Sequence, residues 1–283
     1  MSLPDYALDC GAVLNETSTN VVWRKGPPDY SKANTCFEKY KSTNHQVGSL
    51  ESIVQNIVKN WEKEVSHKVD PNQWRTVDLP NYSFSCNGGQ KYSGYEMLKQ
   101  GTYNALIGET TYYNSAAISF EESHLAFKRA LGEGFGWELL ELYSGPPVVS
   151  FKWKHFGPMT DYFSCRGLSG LIYKADPTKK MVNIFGMCIA RVTEDLRIQD
   201  LQVFYDPNQL FTQLTEICPY APFARLNVEA SDIKPIINSN ALFVKQQALD
   251  QRNGSSCTKK NVPRAGFSSI KSKSPSSLVC TIS

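Results

Sequence analysis

Residues 148–156 read Val-Val-Ser-Phe-Lys-Trp-Lys-His-Phe, and no other stretch constrains the fold as much. At period two, Val149, Phe151, Trp153 and His155 share one face, while Ser150, Lys152 and Lys154 share the other. Such a strand is buried on one side only. It needs neighbours that continue the apolar face, and it leaves a histidine at the end of that face. Residues 137–143, 168–174, 181–192 and 196–205 supply those neighbours as further strand patterns. Gly145-Pro146-Pro147, Ala175-Asp176-Pro177 and Thr193-Glu194-Asp195 supply the turns.

Ahead of the strands the period changes. Residues 50–68 carry Leu50, Val54, Ile57, Trp61 and Val65 at steps of three and four, with Ser49 placed to cap the helix. Asp70-Pro71 ends it. Shorter helices are expected over 31–40, 95–107 and 124–131, and a short strand over 82–86 before the turn Asn87-Gly88-Gly89. Helices first and an antiparallel meander afterwards predict an α+β fold, a curved sheet wrapped over helices. A helix over 208–214 follows Asp206-Pro207, and another is expected over 234–249. Residues 1–20 are patternless and expected to form a flexible arm. The domain spans 21–215, an extension over 216–250 packs on it, and the Ser/Lys-rich residues 251–283 are expected to be disordered.

With 283 residues, 41% of them hydrophobic, the chain can bury a substantial core. A net charge of +3 is too mild to point to nucleic acid, and no recognition motif supports it. No apolar run is long enough to span a membrane, and no leader pattern opens the chain. The eight cysteines include no C-x-x-C pair, which suits reduced thiols in a cytoplasmic protein. His and Cys show no metal-ligand spacing, so no metal is expected. The Gly-rich residues 132–136 miss the dinucleotide fingerprint. At the far end, Cys280-Thr281-Ile282-Ser283 fits a farnesylation box apart from the non-aliphatic Thr281; one lipid there would hold a membrane weakly.

Several short motifs fall in a familiar order: Val22-Trp23-Arg24, Gly26-Pro27-Pro28-Asp29-Tyr30, Gly48-Ser49-Leu50-Glu51, Trp61-Glu62-Lys63-Glu64, His67-Lys68-Val69-Asp70-Pro71, Tyr143-Ser144-Gly145-Pro146-Pro147, His155-Phe156-Gly157 and Phe204-Tyr205-Asp206-Pro207. Across about residues 20–215 the chain resembles the pathogen-related proteins, in the SnoaL-like, polyketide-cyclase-like branch of the nuclear-transport-factor-2-like superfamily. The resemblance implies a cone of curved sheet closed by helices around a deep apolar pocket. It also implies chemistry without metal or organic cofactor. The superfamily mixes aldol cyclases, ketosteroid isomerases, dehydratases, epoxide hydrolases and catalytically silent binding modules, so fold alone names no activity. Many relatives dimerise through the outer sheet face, which makes a homodimer one expectation.

In such a pocket a carboxylate or histidine could move a proton beside a carbonyl. His155 is a candidate acid or base, or else a core histidine bonded to backbone. Asp206 closes the last strand, as a proton carrier or as the cap of the next helix. Glu64 is either a buried base or half of a salt bridge. His67 forms a dyad with Asp70, or simply sits at the helix end. Trp61, Phe151, Trp153, Tyr143, Phe185, Met187 and Tyr205 are the expected cavity lining. Two functions follow. One is a cyclase or isomerase acting on a polyketide- or terpenoid-like substrate. The other is a non-catalytic module for an apolar ligand or partner, favoured if Glu64 is paired and His155 is held by backbone.

Overall fold

The computed structural model describes residues 2–16 and 20–216. In chain order its elements are α1 (Asp5–Leu8), α2 (Ser31–Tyr40), α3 (Leu50–His67), β1 (Ser83–Cys86), α4 (Gly94–Gln100), α5 (Thr102–Ile107), β2 (Glu109–Thr110), β3 (Tyr113–Asn114), α6 (Phe120–Ala130), β4 (Gly136–Ser144), β5 (Val148–Pro158), β6 (Phe163–Arg166), β7 (Ile172–Ala175), β8 (Met181–Val192), β9 (Ile198–Tyr205) and α7 (Asn208–Thr215). This is the α+β architecture expected, helices before the meander.

Helix α3 starts where Ser49 accepts a hydrogen bond from the Ser52 amide, and it buries Ile53, Val54, Ile57, Trp61 and Val65. Its opposite flank is buried as well. Asn60 donates to the carbonyls of Tyr6 (2.9 Å) and Asp9 (2.7 Å), and Lys63 donates to Cys10 O (2.9 Å). Ala7 and Val13 are fully buried there. The residues expected to be a loose arm are therefore docked as far as the description runs. Polar residues on α3 satisfy the arm's backbone, and that signal is invisible in the arm's own sequence.

The main sheet has the order β1-β9-β8-β5-β4. Strand β1 runs parallel to β9, and the other pairs are antiparallel. Register places Trp153 opposite Gly186, whose missing side chain makes room for the indole: a Cβ there would lie 2.3 Å from the Trp153 ring. That pairing fixes parity. Ile184, Cys188, Ala190 and Val192 join Val149, Phe151 and Trp153 on the buried face, while Phe185, Met187 and Ile189 face out. Irregularities in β4 after Leu139 and Leu142 bend its end away from the core.

Two expected elements differ in extent. The helix over 95–107 breaks at Gly101, which has φ +88° and lies against Phe120. The strand over 168–174 starts only at Ile172, as β7, which pairs with β6 across the turn formed by residues 167–171. At the open side of β8, α7 lays two glutamines along the strand. Gln213 accepts from Asn183 N (2.9 Å) and donates to Asn183 O (2.8 Å), while Gln209 accepts from Phe185 N (3.3 Å). Residues one helical turn apart thus cap an edge that β9 leaves unpaired. The expected helix over 234–249, the extension over 216–250 apart from Glu216, the tail and Cys280 lie outside the described residues.

Candidate functional site

Three of the four candidate acid–base residues are occupied by structure. Glu64 is fully buried and accepts from Lys68 Nζ (2.9 Å), Arg75 N (2.8 Å), Thr76 N (3.0 Å) and Thr76 Oγ1 (2.7 Å). Lys68, equally buried, also bonds Glu16 (3.0 Å) and Gln73 O (2.8 Å). A carboxylate with four donors has no spare lone pair aimed at a substrate. Asp206 is exposed; its Oδ1 accepts from the amide (2.9 Å) and side chain (3.0 Å) of Asn208, which makes it the turn into α7.

His155 does share the inner face with Phe151 and Trp153, but its Nδ1 donates to Gly136 O (2.7 Å) and its ring stacks on Phe135 at 3.5 Å. Burial pushes its pKa down to about 4, so at neutral pH it is an uncharged ring with Nε2 as a weak base.

The expected lining divides by face. Trp61, Phe151 and Trp153 are buried core; Trp61 donates to Tyr82 OH (3.0 Å) and stacks on Phe84. Phe185 and Met187 are on the outer face at 44% and 41% exposure, opposite to the side they were expected to line. Tyr143 is 51% exposed beyond the β4 irregularities, donating to Glu141. Lys154, expected on the solvent side, is instead buried under α2 and the residues after it. It pairs with Glu138 (2.7 Å), which also accepts from Thr43 Oγ1 (2.8 Å).

His67 is not in a dyad with Asp70, whose carboxylate caps the following turn by accepting from Asn72 N (2.9 Å). It joins a cluster that the sequence did not reveal. Its ring meets His124 of α6 edge-on at 5.2 Å and Tyr30 at 5.8 Å; His124 in turn meets Tyr103 at 5.3 Å and stacks with Phe120 at 5.5 Å. Tyr30 donates to Glu62 (2.6 Å). Both imidazoles are half-buried, and among the described residues no hydrogen bond reaches any of their ring nitrogens. Burial lowers His67 to about 4, helped by Lys128, Arg24 and Lys63. His124 is also lowered to about 4, by burial and then by His67, with Glu62 acting the other way. The missed members, His124, Glu62, Tyr30 and Tyr103, come from different elements that only tertiary packing brings together. His124 sits one turn from Phe120 on a capped helix, the one local hint.

A cleft of about 520 Å³ opens elsewhere, between the end of β1, the loop after α5 and the start of α7. Ala105, Leu106 and Ile107 contribute its apolar part, with Asn87, Thr110 and Asn208 as polar lining. Tyr205 stands next to it, donating to Leu106 O (3.1 Å) and packing on Trp153 at 5.7 Å. Burial holds the Tyr205 hydroxyl well above its ordinary pKa and raises the Cys86 thiol to about 11. Among the described residues no group of three or more His, Cys, Asp or Glu is arranged to hold a metal ion, and no helix is long and apolar enough to cross a membrane.

No family model matches this chain. A pathogen-related protein from Hordeum vulgare is 35% identical over 193 residues, covering 65% of this chain and 78% of the relative. Among solved structures, a protein from Jannaschia sp. CCS1 proposed as a SnoaL-like polyketide cyclase has a TM-score of 0.31 at 13% identity, over 62% of this chain and 100% of its own. A protein with a ketosteroid isomerase-like fold from Catenulispora acidiphila scores 0.32 at 11% identity, over 58% of this chain and 97% of its own. The epoxide hydrolase/cyclase-like enzyme SalBIII scores 0.29 at 13% identity, over 55% of this chain and 92% of its own. At these scores the likeness says nothing of chemistry.

Proposed function

The chain belongs to the pathogen-related protein family, and from that premise we propose that it binds a small amphipathic molecule in the cleft beside Tyr205 and releases it unchanged. The cleft itself is the observation that carries this reading. Its volume of about 520 Å³ falls in the range of small-ligand sites, and Ala105, Leu106 and Ile107 offer apolar contact beside a larger share of polar lining that would orient a ligand. Its thiol, Cys86, is protonated at neutral pH and so is a poor nucleophile. Glu64, Asp206 and His155, the residues best suited by type to proton transfer, are each engaged in holding the fold.

Native mass spectrometry of the full chain tests this reading, with identification of any retained molecule and analysis of what is released after incubation. The expected result is a retained molecule released intact, with retention cut at least tenfold by Thr110→Trp, which fills the cleft from its rim. Release of a chemically altered molecule overturns the reading, as does retention indifferent to Thr110→Trp.

A second reading, acid–base turnover of a polyketide- or terpenoid-like substrate, has one specific observation in its favour: the unpaired nitrogens of His67 and His124 close to the Tyr30–Glu62 pair. It ranks second because imidazoles with pKa near 4 are weak bases at neutral pH. Under this reading the retained molecule is converted, and Glu62→Gln or His124→Gln abolishes conversion while leaving retention intact.

A further inference from the structure

Along α3 most buried cations are committed. Lys63 donates to two carbonyls, Cys10 O (2.9 Å) and Lys59 O (3.1 Å), and Lys68 pairs with two carboxylates, Glu16 and Glu64. Just past α2, Lys41 pairs with Glu38 (2.7 Å). Lys59, one turn before Lys63, has no such partner. Among the described residues no carboxylate and no hydrogen-bond acceptor meets its Nζ. Its ammonium lies instead over the buried ring of Phe37, 3.2 Å from the centroid.

This position disfavours the charged form in two ways. Packing against Phe37 replaces water around the ammonium, and two further cations, Lys63 and Lys41, stand close by. Cys10 and Glu38 act the other way, but Glu38 is already held by Lys41. The ring face restores only part of the lost hydration. Burial, ahead of these charges, lowers Lys59 to about 8. At pH 7 about a tenth of the side chain is then neutral amine, against about one part in three thousand at the ordinary value of 10.5. Lys59 is half-buried and not sealed from solvent. A desolvated lysine beside other cations is the arrangement that makes an amine nucleophilic towards carbonyl compounds near neutral pH.

We propose that Lys59, lying over Phe37 and flanked by Lys63 and Lys41, is a covalent capture site for small aldehydes. The neutral amine adds to the carbonyl carbon, and the carbon–oxygen bond then breaks. The oxygen leaves as water with both amine protons, and a Schiff base remains on Nζ. The step needs no oxidant or reductant, and hydrolysis returns the free lysine and the aldehyde. None of these residues lines the cleft beside Tyr205, so the two sites are tested separately.

Competitive reductive alkylation of the full chain tests this, with propanal as the probe, cyanoborohydride to trap the imine, and peptide mass spectrometry to follow each lysine. At neutral pH Lys59 should be alkylated at least tenfold faster than the exposed Lys152. Its rate should level off above about pH 8, where that of Lys152 still climbs. In concentrated guanidinium chloride the two lysines should react alike, because the preference comes from the fold. A Lys59 rate no faster than that of Lys152, a rate that climbs in parallel with it, or a preference that survives denaturation would overturn the proposal.

Discussion

The two flanks of α3 put similar residue types to opposite uses. On one, Glu64 and Lys68 are fully buried and every lone pair and proton has a partner, through Glu16, Gln73, Arg75 and Thr76. On the other, one turn away at most, His67 meets His124 with no hydrogen bond to either ring among the described residues. The first flank ties the N-terminal residues, α3 and the following turn into one unit. The second leaves polar atoms half-desolvated and uncommitted. A buried titratable group on a helix is thus a candidate for chemistry only when its partners are incomplete.

The largest effect is expected where the network is complete. Lys68→Met leaves Glu64 and Glu16 facing each other without their shared cation, and should cost about 3–5 kcal/mol in urea unfolding at neutral pH. A loss below about 1 kcal/mol would mean that the network is looser than its geometry. Next comes Lys154→Met, where Glu138 keeps the Ser42 and Thr43 donors, with an expected loss of about 1–3 kcal/mol by the same assay.

Acid should expose the other flank. His67, His124 and His155 have folded-state pKa values near 4 against an ordinary value of 6.5. Between those limits the unfolded chain binds more protons, so stability rises with pH across the window and is lost as pH falls from about 6.5 towards 4. Urea midpoints measured across that window should fall, and His67→Gln with His124→Gln should flatten the slope. The same double variant at pH 7.5 should cost less than about 1 kcal/mol, since no hydrogen bond is removed. Smallest of all, Asp206→Asn should leave the unfolding midpoint where it is, because an amide oxygen can accept from Asn208 as the carboxylate does.

Periodicity made the frame legible in the sequence. The stripe of α3, the alternation of β5 and the extent of β8 are all dictated by burial within a single segment. What could not be read depended on a second segment. Phe185 and Met187 are apolar and so resemble lining, but the Trp153–Gly186 pairing turns them outward. Lys154 looks like a solvent residue until Glu138 is placed opposite it across the β4–β5 pair. Glu64 and His155 had two readings each, and the deciding partners, Thr76 and Gly136, are 12 and 19 residues away. His124 carries no local signal that it would meet His67.

The contrast between a saturated and an open flank is most directly tested by long-range 1H–15N correlation spectroscopy of the histidine rings, followed through an acid titration. The expected spectrum has His155 locked as the Nδ1–H tautomer, while His67 and His124 exchange between tautomers and titrate near 4. A single fixed tautomer for His67 or His124, or ordinary titration near 6.5, would contradict the account of α3 given above.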